Sequence, residues 1–330
     1  MSISSRSIAR NSSTVEDVVD SVRLGERRAA GRLITRIESQ DPSALDVLAR
    51  LYADTGSACV VGFTGPPGAG KSTLVDELLA VVRSAGETVG VVAVDPNSPF
   101  SGGAILGDRI RMMRHSSDTG IFIRSMGARG SLGGLARATS GTVRVLDAMK
   151  FDYVMVETVG VGQSELDVAG LADTTVVIIP PGLGDGVQAI KAGIMEIADI
   201  FVVNKADHPQ ANRTIADIKD LLHMELEPRA WTPPIVSTIA TQGVGLQDLW
   251  MRIQQHGDYL TASGELVTRR RERLKAELVD MMWQQLRTEL LEPAAETEHF
   301  NAVLDEVVTR KLDPYTAARH LDPRTFARPE

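Results

Sequence analysis

The chain has 330 residues, 43% hydrophobic and 24% charged, with a net charge of −8 and an isoelectric point near 5.4. This is the composition of a folded globular protein, and its acidic balance argues against a broad nucleic-acid surface, which needs clustered Lys and Arg. A single cysteine, Cys59, excludes an internal disulfide and suits a reducing, cytoplasmic setting, and no apolar run nears the ~20 residues of a membrane span.

Residues 1–13 are polar, lack the apolar stretch of a signal peptide and read as a disordered lead-in. A helical region is expected over 14–56. Ser13-x-x-Glu16 has the form of a capping box, and Val15, Val18, Val19 and Val22 follow helical spacing. Leu33, Ile34 and Ile37 mark a second, short helix. Asp41-Pro42 reads as an N-cap with Pro at the first helical position of a third, which carries Leu45 and Leu48.

From 57 to 262 short apolar runs alternate with helical stretches. Strands are expected at "ACVVGFT", "TVGVVAVD", "GIFIRS", "FDYVMVET", "TTVVIIP", "ADIFVVN" and "PIVSTI". The runs are continuous rather than alternating, as in strands covered on both faces. The fold class is therefore α/β, a mostly parallel, doubly wound sheet of the P-loop NTPase kind with helical extensions at both ends.

The first strand feeds into "GPPGAGKST", from Gly65 through Pro66, Pro67, Gly68, Ala69, Gly70, Lys71 and Ser72 to Thr73. In this pattern glycines let backbone N–H groups turn toward phosphate oxygens, the lysine reaches the β- and γ-phosphates, and the hydroxyl after it can ligate Mg²⁺. A strand precedes it and a helix follows, the context the motif requires. Asp95 ends the next strand, which is expected to lie near the P-loop strand. The long loop after it, "PNSPFSGGAILGDRIRM", has the length and glycine content of a switch. It would bring Asp95 and Asp108 to the metal. Asp108 reads equally well as the N-cap of the helix that follows, and Arg111 as a candidate for the transition state or as a salt-bridge partner.

"DYVMVETVGVGQSE" places Glu157 at the end of a buried strand, where a longer carboxylate can reach Mg²⁺ through water. Gly160 would offer its N–H to the γ-phosphate, and Gln163 is the nearest amide able to orient water. Lys71, Glu157 and Gln163 are thus the catalytic candidates, and Ser72, Asp95, Asp108 and Glu157 the metal candidates. "PPGLGDGVQAIKAG" is a third glycine-rich loop, in which Asp185 and Lys191 belong either to a mobile element or to an ordinary helix start.

"FVVNKAD" selects the base. Asp207 is an acceptor that suits the N1–H and N2–H₂ of guanine and repels the N1 of adenine. The Lys205 stem can lie along the base plane, and Asn204 can tie the loop together. Ser237, Thr238 and Ile239 supply the last base-contacting loop through backbone groups, so Thr238 in place of a smaller residue is expected to matter little.

The region 263–330 has no strand signal. Leu274, Leu278, Met282 and Leu286 mark one face of a long helix expected to end at Pro293. Phe300, Val303, Leu304, Val307 and Val308 mark another, and Asp313-Pro314 opens a last one. "RRRER" reads as a solvated helix face. The six histidines are scattered, with none at ligand spacing from another or from Cys59, so no metal-delivery site is visible.

Together "GPPGAGKST", "AVDPNSPFSGGAILGDRIRMM", "VETVGVGQSE", "PPGLGDGVQAIKAG" and "VVNKAD" resemble the MeaB/ArgK family of P-loop GTPases, bacterial relatives of the human MMAA protein. The resemblance implies a GTP- and Mg²⁺-dependent chaperone. It would assist and protect adenosylcobalamin-dependent methylmalonyl-CoA mutase and form a homodimer through its C-terminal helices. It maps the family's metal and sensor positions onto Asp95, Asp108 and Glu157, and a third switch onto 182–193. Part of the family has been labelled an amino-acid-transport kinase or ATPase. That reading, a phosphotransferase acting on a protein or small molecule, a metal-insertion GTPase and a nucleotide-binding module without useful hydrolysis are the alternatives. Asp207 speaks against ATP, and the absent His/Cys cluster against metal insertion.

Overall fold

In a computed structural model of the chain, residues 14–95, 114–115, 117–127, 132–158, 168–182, 194–223 and 230–321 are described. All seven expected strands are present: β1 Cys59–Thr64, β2 Val89–Asp95, β3 Ile121–Gly127, β4 Tyr153–Thr158, β5 Thr174–Ile179, β6 Ile200–Asn204 and β7 Ile235–Thr238. They form one sheet in the order β3-β2-β4-β1-β5-β6-β7, parallel at each pairing. The continuous apolar runs are buried on both faces, as parallel strands under helices must be. Asp95 lies near the P-loop strand but not beside it, because β4 lies between β1 and β2. Glu157 therefore occupies the inner position, level with Phe63 of β1 and Ala93 of β2.

Before the sheet come α1 Val15–Arg23, α2 Arg27–Glu38 and α3 Ser43–Leu51. Between strands lie α4 Lys71–Ser84, α5 Leu132–Ala148 and α6 Ala211–His223, and α7 Leu246–Ser263 follows β7. One core cluster joins the N-terminal helices to Val145, Leu146 and Val154. Another packs Leu74, Leu78 and Val82 of α4 and Leu249, Trp250 and Ile253 of α7 onto Val61, Phe63 and Met155. At the amino-terminal edge, carboxylates cap strand backbones. Asp147 accepts from the amides of Ser57 and Ala58, Asp173 from Val60, and Asp199 from Thr175. The carboxyl edge is thereby left for the loops that carry chemistry.

Local details depart from the sequence reading. The capping box of α1 is formed by Thr14 and Asp17: the Thr14 hydroxyl accepts from Asp17 N at 3.2 Å, and Asp17 accepts from Thr14 N at 2.9 Å. Both Ser-x-x-Glu and Thr-x-x-Asp fit a capping box, and Ser13 lies outside the described residues. In α3 the buried residues are Ala44, Val47 and Leu51, whereas Leu45 is 60% exposed. The helix begins at Ser43, with Asp41 Oδ1 accepting from Ser43 N, and that start sets the phase.

Residues Val267–Glu330 form a second compact unit. Helix α8, Glu265–Leu286, has no buried residue. Pro293 does not end it. A π-helical turn at Arg287–Leu291 leads into a further turn, Glu292–Ala295, whose first turn holds the proline. A missing N–H costs little there. Helices α9 Glu298–Val308 and α10 Pro314–His320 follow, the latter capped by Asp313.

Candidate nucleotide-binding site

Strand β1 ends at Thr64, and residues 65–70 curl before α4 begins at Lys71. Two glycines make the curl possible. Gly65 has φ 141°, and a Cβ there would fall 2.1 Å from the carbonyl oxygen of Ile178. Gly70 has φ 87°, and its Cβ would meet Asn204 Nδ2 at 2.5 Å. The Lys71 side chain is 5% exposed. Its ammonium donates to the carbonyls of Gly65 at 2.7 Å and Pro66 at 3.0 Å, bridging the loop. Ser72 and Thr73 at the same helix start are exposed. The loop fits a polyphosphate. It is a cradle that a Cβ at 65 or 70 would disrupt, opening on a helix N-terminus and holding a buried ammonium.

Glu157 is 4% exposed at the end of β4 and accepts a hydrogen bond from the Ser72 hydroxyl. A hydroxyl and a carboxylate brought together are hard oxygen donors of the kind Mg²⁺ selects. Among the described residues no group of three or more His, Cys, Asp or Glu could hold a metal. Asp95 is placed by its backbone at the end of β2, level with Gly127 of β3. Asp108, Arg109, Arg111, Gly160, Gln163, Asp185 and Lys191 lie outside the described residues.

The loop after β6 is riveted to residues 65–70. Asn204 is buried. Its Nδ2 donates to Ala69 O at 2.9 Å, while its Oδ1 accepts from the Thr238 hydroxyl at 3.1 Å and from Ala240 N at 3.2 Å. Lys205 takes the left-handed backbone conformation, with φ 59°, and its ammonium reaches Gly68 O at 2.9 Å. The amide of Ala206 donates to Thr238 O at 3.0 Å. Asp207 follows, exposed.

In the last stretch the Thr238 side chain plays a larger part than expected. Ser237 and Thr238 belong to β7, level with Val203 and Asn204. Thr238 contributes through its fully buried side chain, and the Ile239 amide is engaged by Val244 O at 3.0 Å. Sequence reasoning named Thr238 but missed its side-chain role, because it treated this stretch as backbone alone. The signal was available, since a threonine level with a buried asparagine on a neighbouring strand can satisfy its amide oxygen.

The family model described as methylmalonyl-CoA mutase-associated GTPase MeaB matches residues 30–296. A Pyrococcus abyssi protein that carries the name of a GTPase is 47% identical over 307 residues, 92% of this chain and 94% of its own. GTPase ArgK of Escherichia coli is 33% identical over 323 residues, 94% of this chain and 96% of its own. The mouse mitochondrial methylmalonic aciduria type A homolog is 36% identical over 236 residues, 70% of this chain and 56% of its own. The crystal structure of a LAO/AO transport system kinase superposes with a TM-score of 0.72 at 27% identity, covering 94% of this chain and 97% of that one.

Proposed function

Since the chain belongs to the MeaB family of methylmalonyl-CoA mutase-associated GTPases, we propose that its GTPase cycle assists and protects an adenosylcobalamin-dependent methylmalonyl-CoA mutase. The observation that carries the nucleotide part is the Asn204 rivet, which holds a guanine-selective loop against the phosphate loop. The mutase part rests on the family match. The product of such a cycle is a conformational state rather than a metabolite. When bound, Mg²⁺ would screen phosphate charge, with Ser72 and Glu157 as the described residues able to hold it. Lys71 would bind the β- and γ-phosphates and Asp207 the guanine edge. A transport-linked kinase using ATP fits less well, because adenine N1 would face the Asp207 carboxylate. Purified protein should capture the mutase to an extent that differs between GDP and a non-hydrolysable GTP analogue. No complex in any nucleotide state would refute the chaperone reading.

Thr238 provides a test of the guanine site alone. Thr238→Val keeps the shape but removes the hydroxyl from a buried amide oxygen, leaving Asn204 tied by Ala240 N and Ala69 O. A buried neutral hydrogen bond is worth about 1 kcal/mol. GDP affinity should fall about fivefold in a fluorescent-nucleotide titration, and an unchanged constant would show that Thr238 does not support the base loop.

The C-terminal unit suggests a homodimer. Leu278, Met282 and Trp283 of α8 are 60%, 62% and 65% exposed, an apolar stripe that a second copy could cover. Light scattering should give twice the chain mass, and a pair of charged substitutions at Leu278 and Met282 should give the monomer. A monomeric wild type would sink the proposal.

A further inference from the structure

One helical turn beyond Ser72, α4 presents Asp76 and Glu77. Positions i and i+4 share a helix face, so Asp76 lies on the face that carries the Ser72 hydroxyl. Two residues from the β2–β3 connection close on this pair. Arg114 Nη1 donates to Asp76 Oδ2 at 2.5 Å and to Glu77 Oε1 at 2.7 Å, while His115 Nε2 lies 2.8 Å from Asp76 Oδ1. The Asp76 and His115 side chains are only 15% and 12% exposed. Glu77 and then Asp76 raise the Arg114 guanidinium above its ordinary pKa.

A second attachment further along α4 does the structural part. Arg83 Nε donates to both oxygens of Asp118, at 3.2 and 3.0 Å, and holds that carboxyl below its ordinary range. Asp118 also accepts from Gly120 N at 2.7 Å, and Arg27 of α2 donates to the carbonyls of Asp118 and Thr119. A Cβ at Gly120 would lie 2.2 Å from Arg83 Cζ, so the chain is closely seated just before β3. With that end secured, the Asp76 clasp is not needed to start the strand. It sits instead one turn from Ser72.

We propose that Asp76 is a positioning residue for GTP hydrolysis, setting through His115 and Arg114 how residues 114–115 seat on α4 one turn beyond Ser72. The described clasp consists of Asp76, Glu77, Arg114 and His115. Its effect would fall on the geometry around Ser72 and Glu157, which hydrolysis needs in register and simple nucleotide retention does not. The inference rests on the nucleotide site proposed above, and GDP affinity tests that site separately.

The test uses the full chain, with steady-state GTP hydrolysis, fluorescent-GDP titration and thermal melting. Small misplacements near a reacting centre cost one to two orders of magnitude in rate, so Asp76→Asn should lower kcat about tenfold. KM and GDP affinity should stay within about twofold, since uniform binding is untouched. Asp76→Glu should restore most of the rate. Arg114→Gln with His115→Gln should match Asp76→Asn, and adding Asp76→Asn should lower kcat no further, because groups acting as one unit are not additive. Asp118→Asn should instead lower the melting temperature and leave kcat per folded molecule alone. The proposal is overturned if Asp76→Asn keeps wild-type kcat, if its loss tracks GDP affinity or melting temperature, if Asp76→Glu fails to rescue, or if the combined variant loses rate additively. GDP failing to bind even the wild type would refute the site reading instead.

Discussion

Lys71→Ala is expected to abolish GTP hydrolysis, lowering kcat by about a thousandfold or more. The magnitude follows from removing a preorganised cation from transferring phosphoryl oxygens, where loss of one such contact costs about 10²–10³. The structure adds a reason why no other described lysine can substitute. The ammonium is almost wholly buried and bridges the Gly65 and Pro66 carbonyls, so it is held at the mouth of the loop before any ligand arrives. Lys205, the other described lysine that bonds to this loop, is committed to Gly68 on the base side. Alanine should also destabilise the ligand-free protein. Two loop carbonyls lose their donor, and the buried one, of Gly65, left unpaired costs about 1–3 kcal/mol. A malachite-green phosphate assay checks the rate and a melting curve without nucleotide checks the loop. Retained turnover would mean that this loop is not the phosphate site.

The strands were legible because each is a short apolar run bounded by breakers, and parallel strands buried on both faces have no alternation to confuse the reading. Helix phase was less legible. Leu45 is a stronger apolar signal than Ala44, yet Ala44 faces the core, because the Asp41–Ser43 cap rather than hydrophobicity sets where α3 begins. Pro293 misled for a related reason: it stops a helix only if the preceding turns are regular, and a π-helical turn intervenes. Motifs in which adjacent residues act together, such as residues 65–73 and Asn204 with Lys205, each lie within one short stretch of sequence and could be singled out from it. Side chains that act across the fold were not. The Thr238–Asn204 bond spans neighbouring strands, and the Asp76–His115 contact joins residues 39 positions apart, which no local pattern encodes.

Asp207→Asn should convert the base preference. A carboxylate offers two acceptors to guanine N1–H and N2–H₂. An asparagine amide offers one acceptor and one donor, which complements the N1–H and C2 carbonyl of xanthine. A site built on paired hydrogen bonds discriminates strongly against a ligand that leaves one unmet, and both of these are charge-assisted. GDP affinity should therefore fall about a hundredfold or more, while XDP affinity rises until it exceeds that of GDP. The substitution is isosteric, and Asp207 is exposed, so folding should not change. The loop around it stays pinned by Lys205 to Gly68 and by Ala206 to Thr238. Competition of GDP, XDP and ADP against a fluorescent nucleotide reads all three preferences in one titration. ADP should remain the weakest for the wild type, because adenine presents an acceptor to the carboxylate. If Asp207→Asn still prefers GDP to XDP, some other group reads the base. The Asn204 rivet would then serve only to brace the phosphate loop, and GTP specificity would have to come from residues beyond Asn204, Lys205 and Asp207.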